Sequence, residues 1–219
     1  MGGRKLKKEV LRLLRHSDFK KSIVEISGFS ARQVVNPLFS FFYNSDELVK
    51  WHAVNAMGVV VSNLAKTDME SARVVMRRLI WNLNDESGGI GWGSPEAMGE
   101  IMASHEGLAK EYYTILISYI TPDRNYIEHE ILQRGVLWGI GRLAHARSHL
   151  VKDFAHLLCP YMESPDPALR GLAAWTAGLF YSKTTSRLLK RLENDQAKLT
   201  FYLDGTLEEL TVTQLRYRN

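Results

Sequence analysis

One cysteine in 219 residues leaves nothing for it to pair with inside the chain, so no internal disulfide can staple this fold. Cys159 stands in the apolar run LLCPYM, where the expected role is that of a small buried hydrophobe and the expected setting a reducing cytoplasm. Long apolar runs are missing too. No stretch approaches the roughly 20 residues of a membrane helix, and MGGRKLKKEVLRLL lacks the apolar region and cleavage site of a secretory leader. With 45% hydrophobic and 24% charged residues, the chain is neither disordered nor fibrous, and its length suits one compact domain or a short solenoid.

Basic charge is scarce outside one end. Residues 1–21 carry eight Lys and Arg (Arg4, Lys5, Lys7, Lys8, Arg12, Arg15, Lys20, Lys21) against Glu9 and Asp18, so the net +4 of the chain leaves −2 for residues 22–219. A nucleic-acid groove needs cations spread along it to neutralise several phosphates, and the body of the chain does not supply that excess. Leu6, Val10, Leu13 and Leu14 make the basic segment amphipathic, which predicts a solvated first helix capping whatever follows.

Recognisable catalytic motifs are absent as well. GGIGWG has no following Lys-Ser/Thr and comes after a helical stretch, so neither a P-loop nor a dinucleotide fingerprint is present, and no cofactor is expected. His145 and His149 lie four apart in HARSH, with His156 beyond, but the stretch falls where one helix ends and another begins. Exposed histidines, not metal ligands, are the expectation. No motif fixes a nucleophile of the Ser-His-Asp kind.

What the chain does have is a repeat. Glycine recurs at Gly58, Gly99, Gly141 and Gly178, at intervals of 41, 42 and 37 residues, each inside an apolar helical stretch. Seven positions before it stand Trp51, Trp92, Arg134 and Gly171; three before it stand Asn55, Glu96, Trp138 and Trp175. A period near forty with paired helices marks a stacked helical solenoid, because one pair cannot bury its apolar face without a neighbour. The pairs read as 30–43 with 46–65, 69–84 with 95–104, 107–120 with 127–146, and 148–162 with 166–181, followed by a helix near 184–194. Small residues in each second helix predict close approach between layers. KLTFYLDGTLEELTV alternates and turns at Asp204-Gly205, predicting a type I′ hairpin over the last helix. Three units follow: basic N-terminal capping helices over 1–28, helical repeats over 29–197, and a C-terminal hairpin and tail over 198–219.

With the AMG, WGIG and WTAG cores aligned, residues 30–195 resemble HEAT-like repeat proteins of the phycobilisome-lyase type. Asp46 and Asp166 start second helices in this pattern, and Lys50 and Arg170 hold equivalent places in the first turn. The longer block RRLIWNLNDESGGIGWGSPEAMGEI resembles an uncharacterised bacterial group of HEAT-like proteins. The resemblance implies an all-α, HEAT/armadillo-like right-handed superhelical solenoid acting as an interaction module or scaffold, and brings no activity with it.

Function is expected around the connection from Asp85 to Ser94, whose four glycines (Gly88, Gly89, Gly91, Gly93) make it longer than ordinary links between packed helices. Ser94 is placed to cap the next helix, with Pro95 at its first position and Glu96 in its first turn. Glu96 and Glu100 share a helix face and are positioned to meet Arg134, Arg142 and Arg170 of later repeats. Two readings stand. In one, the tryptophans fill layer interfaces and the arginines pair with acids of the preceding layer. In the other, Trp81, Asp85, Glu86, Trp92, Glu96, Glu100, Arg134, Trp138, Arg142, Arg170 and Trp175 form a concave aromatic and charged surface for a protein or peptide partner, since tryptophan and arginine are enriched among binding hot spots. A HEAT-like DNA glycosylase or other nucleic-acid-binding protein is the alternative. Trp81 followed by Asp85 imitates the glycosylase arrangement, but the acids Asp85, Glu86, Glu96 and Glu100 oppose phosphate.

Overall fold

A computed structural model of the chain describes residues 2–84, 91–180 and 182–218. Two N-terminal helices, α1 (Gly3–Leu14) and α2 (Phe19–Ser27), precede the first pair, α3 (Ala31–Phe41) and α4 (Glu47–Thr67). The second pair is α5 (Met69–Asn84) with α6 (Ser94–Ser104), and the third is α7 (Glu106–Ser118) with α8 (Glu130–Ala146). In the fourth, α9 (Ser148–Val151), a 3-10 segment (Lys152–Leu158) and α10 (Cys159–Met162) together face α11 (Pro167–Ala177). Helix α12 (Lys183–Arg191), strands β1 (Lys198–Leu203) and β2 (Thr206–Thr211), and α13 (Val212–Arg216) complete the chain. The second helices α4, α6, α8 and α11 contact one another in succession, and each packs on its own first helix, so the repeat read from the glycines is an all-α stack of helix pairs with a short hairpin.

Local chemistry starts the second helices where the sequence places them. Asp46 accepts from the Leu48 and Val49 amides and Asp166 from the Ala168 amide, satisfying amides that have no partner in a first turn. Helix α6 begins differently: Gly93, at φ 74°, is its N-cap, and the expected cap Ser94 lies inside the helix with its hydroxyl buried and unpartnered. The left-handed conformation suits glycine, and a side chain there would collide with Phe42 at 2.7 Å. The expected continuous helix over 148–162 is broken instead. Pro160 has no amide to return to the His156 carbonyl, so the segment tightens to 3-10 geometry before it.

Layer spacing is set by missing side chains. A Cβ on Gly99 would lie 2.3 Å from the Gly139 Cα, and one on Gly139 would lie 2.5 Å from the Pro95 carbonyl oxygen, so α6 and α8 meet backbone to backbone. Gly58 leaves room for the Glu100 side chain, and Gly141 for the Trp175 ring. Gly178 breaks the series: it closes α11, and what lies near it is chiefly its own helix. Glu100, only 4% exposed, accepts from Asn55 (2.9 Å) and from Arg142 (2.7 Å), tying α4, α6 and α8 together. Removing one partner of such a buried pair leaves a stranded charge.

The hairpin turns at Asp204 (φ 52°) and Gly205 (φ 90°), as its Asp-Gly pair requires. It reaches further than the last helix. Leu199 and Phe201 pack on α11, Phe201 meeting Trp175 at 4.9 Å, while Tyr202 stacks on Trp51 of α4 at 4.9 Å. The Trp138 indole donates to the Tyr202 carbonyl (3.0 Å), and His52 Nε2 lies 3.1 Å from the Gly205 carbonyl. Strand β1 therefore turns Leu199 and Phe201 toward the helices while Lys198 and Thr200 of its other face stay exposed, and that second face is buried only at Tyr202, against Trp51.

Gly99→Ala should destabilise the protein by at least about 2 kcal/mol, since its methyl meets backbone that cannot rotate away. Gly3→Ala, with nothing within 4 Å, should change stability by less than about 0.5 kcal/mol. Urea unfolding of both variants measures the contrast.

Candidate functional site

First turns of four successive second helices, together with β1, enclose a cavity of about 500 Å³, within the range of pockets that hold small molecules or anchoring side chains. Lys50 and Trp51 come from α4, Trp92 and Glu96 from the start of α6, Arg134, Gly135 and Trp138 from α8, and Asp166 from the cap of α11. Lys198, Thr200 and Tyr202 enter from β1, where period-two alternation sends even-numbered side chains inward. Trp51 lies between Tyr202 and Trp138, the latter 4.8 Å away and tilted by 55°.

Most charges here already have partners. Arg134 Nε lies 2.7 Å from Asp166, Lys198 lies 2.7 Å from Glu209, and Lys50 Nζ sits over the Trp92 ring at 5.5 Å from its centroid. Glu96 and the exposed Glu47 join no ion pair among the described residues. Glu96 has its Oε2 sealed from solvent without a hydrogen-bond partner among the described residues. Its carboxyl lies flat on α8 at Gly135, where a Cβ would come within 2.5 Å of Oε1. Burial pushes this carboxyl up from 4.5 to about 7, against the smaller opposing pulls of its own backbone amide and Lys50. Among the described residues no cysteine, serine or histidine lines the cavity, and its walls offer aromatic faces and the carboxyl of Glu96.

The residues singled out from sequence separate into distinct places. Trp92, Glu96, Arg134 and Trp138 meet in the cavity. Glu100 and Arg142 pair with each other in the layer below and do not line it. Glu96 meets none of the expected arginines, because Arg134 turns to Asp166 and Arg170 turns to Asp195 (2.8 Å) and the Ser164 carbonyl. Pairing therefore runs to the preceding layer only for Arg142. Trp175 is sealed in the core, stacked on His145 at 4.5 Å, and does not line the cavity. Trp81 is 62% exposed on α5 and does not line it either. Asp85 and Glu86, with Gly88 and Gly89 of the same loop, lie outside the described residues.

His149 and His156 are exposed, but His145 is half-buried and its pKa is lowered by that burial, contrary to the exposed position expected for it. Among the described residues no three metal-ligating side chains gather, and no helix is long and apolar enough to cross a membrane.

Sequence reasoning passed over Lys50, Trp51, Asp166, Lys198 and Tyr202 as site residues. Trp51 was legible: it shares the register of Trp92 and Arg134, seven residues before the repeated glycine. Tyr202 carried no comparable signal, since its position depends on how the hairpin docks on helices 150 residues away.

No family model matches the chain. A protein of Archaeoglobus fulgidus, described as an uncharacterized protein, is 32% identical over 111 residues, covering 49% of this chain. The match spans about half, 52%, of that protein's own length. Among solved structures, the crystal structure of an engineered protein from the Northeast Structural Genomics Consortium is 15% identical with a TM-score of 0.49, covering 86% of this chain and 90% of its own. A designed armadillo repeat protein in complex with the peptide (KR)4 is also 15% identical with a TM-score of 0.49, covering 86% and 92%. The pairing of helices rests on this chain's own contacts.

Glu96 ties stability to pH. A folded-state carboxyl at about 7 holds its proton where the unfolded chain, at 4.5, has lost it, so the folded state gains most below pH 4.5 and loses that gain as pH rises through 7. Wild type should lose about 3 kcal/mol relative to Glu96→Gln between pH 4.5 and pH 8. Urea unfolding across that range measures the difference, and parallel curves for the two proteins would show that Glu96 is already ionised in the fold.

Proposed function

We propose that this chain is a non-enzymatic binding or scaffolding module of the HEAT-repeat kind, which takes part of a protein or peptide partner on the concave face of its second helices. The cavity anchors the partner, with Trp92 and Gly93 contributing to its wall. One observation carries the reading: three indoles and the Glu96 carboxyl line a single cavity where four consecutive second helices meet the hairpin. Burying a solvated side chain against those rings gains apolar contact, while Arg134, whose side chain is 44% exposed, remains available to a partner's polar groups.

The resemblance to the phycobilisome-lyase type and a cytoplasmic setting belong to this same reading. Among the described residues Glu47, Asp166 and Glu209 match Lys50, Arg134 and Lys198 around the cavity, which leaves no cationic excess of the kind a phosphate backbone needs and favours a protein partner.

Affinity capture from native lysate tests this reading, with wild type beside Trp92→Ala and Arg134→Ala. Each substitution should weaken retention of a common partner by about five- to thirty-fold, with far-ultraviolet circular dichroism unchanged. Loss of helical signal in both variants would instead assign these side chains to packing.

A further inference from the structure

We propose that the cavity is a receptor for an organic cation bearing at least one N–H, an ammonium or guanidinium group that pairs with Glu96 while its apolar body lies against Trp51, Trp92 and Trp138. This deepens the reading of the cavity as the binding site and rests on it.

The cations that line the cavity are already engaged. Arg134 and Lys198 are each held by a carboxylate, and Lys50 rests on an indole. Asp166 and Glu209 are the partners of two of those cations. Glu96 is half-buried in the cavity wall, is not ion-paired among the described residues, and has one oxygen, Oε2, sealed without a hydrogen-bond partner. A buried acid without a partner is costly whether it ionises or keeps its proton unshared. An N–H cation removes both costs, supplying charge and donor together. An anion would add a like charge and drive the carboxyl further toward its neutral form.

Aromatic walls complete the chemistry. Indole faces attract cations, and Lys50 over Trp92 shows the chain using that attraction itself. The helix N-termini around the cavity oppose a cation, but those of α4 and α11 are already compensated by the capping carboxylates Asp46 and Asp166. A volume of about 500 Å³ admits a small arylalkylamine or one long basic side chain.

The charged groups facing Glu96 across the cavity are Glu47 and Lys50 of α4, Arg134 of α8, Asp166 at the start of α11, and Lys198 and Glu209 of the hairpin. His129 borders the site edge-on to Trp92 at 6.3 Å.

Calorimetric titration with three probes tests the assignment: 2-phenylethylammonium, its neutral counterpart 2-phenylethanol, and a blocked Gly-Lys-Gly tripeptide. Wild type at pH 8 should bind at least one of the two cations more than tenfold tighter than the alcohol, and Glu96→Gln should abolish that preference. Preference for the free amine identifies a small-molecule ligand; preference for the tripeptide identifies a partner's lysine.

Because pairing requires the ionised carboxyl, affinity for the cation should rise about tenfold from pH 6 to pH 8 in wild type and in His129→Gln, but not in Glu96→Gln. Lys50→Gln, which removes the resident cation from Trp92, should tighten binding severalfold. Binding of the alcohol as tightly as both the amine and the tripeptide would overturn the cation assignment and leave the cavity standing as a binding site. Failure of all three probes to bind, with folded protein confirmed by circular dichroism, would overturn both.

Discussion

The meeting of α6 and α8 without intervening side chains governs the rest of the molecule. Gly99 lies on Gly139, and Gly139 in turn on the Pro95 carbonyl, so two consecutive second helices run closer than ordinary side chains permit. That approach fixes where the start of α6 falls relative to α8, and with it the position of the Glu96 carboxyl against Gly135. It also brings Glu100 within reach of Arg142 while Asn55 approaches from the other side. Glycine in a helix costs about 1 kcal/mol relative to alanine. Here that cost is offset by dense packing and by an acid–base pair shared among three layers.

The hairpin adds a wall to the site formed by a row of helices. Without β1, the first turns of α4, α8 and α11 would form one side of an open groove. With β1 wedged along them, Tyr202 closes on Trp51 and the Trp138 indole finds the acceptor it needs when buried. The turn at Asp204-Gly205 extends to His52, whose Nδ1 lies 2.6 Å from the Leu14 carbonyl. One imidazole thus joins the N-terminal helices, the first repeat and the C-terminal turn.

Stability and binding draw on different members of one repeated pattern. Trp138 and Trp175 stand at equivalent positions, yet the first borders the cavity and the second is sealed beneath Phe201 and His145. Arg134 and Arg142 lie two turns apart on one helix, yet Arg134 faces the cavity and solvent while Arg142 enters the buried layer below. Glu96 and Glu100 divide in the same way: one turn along α6 separates an acid whose Oε2 has no hydrogen-bond partner among the described residues from an acid held by both Asn55 and Arg142.

Helix pairing, the glycine period, the caps Asp46 and Asp166 and the Asp-Gly turn were all legible from residue order, because each depends on neighbours within a few positions or on a repeat that recurs by length. Trp92, Glu96, Arg134 and Trp138 were legible as a group for the same reason. Only the folded chain separated them from Trp81, Trp175 and Arg170, exchanged the expected Glu96–arginine pairing for an unpaired carboxyl, and brought Tyr202 onto Trp51. Those outcomes depend on which faces meet across layers and on where a distant hairpin docks. Such contacts between residues far apart in sequence leave no period and no cap signature in the order of residues.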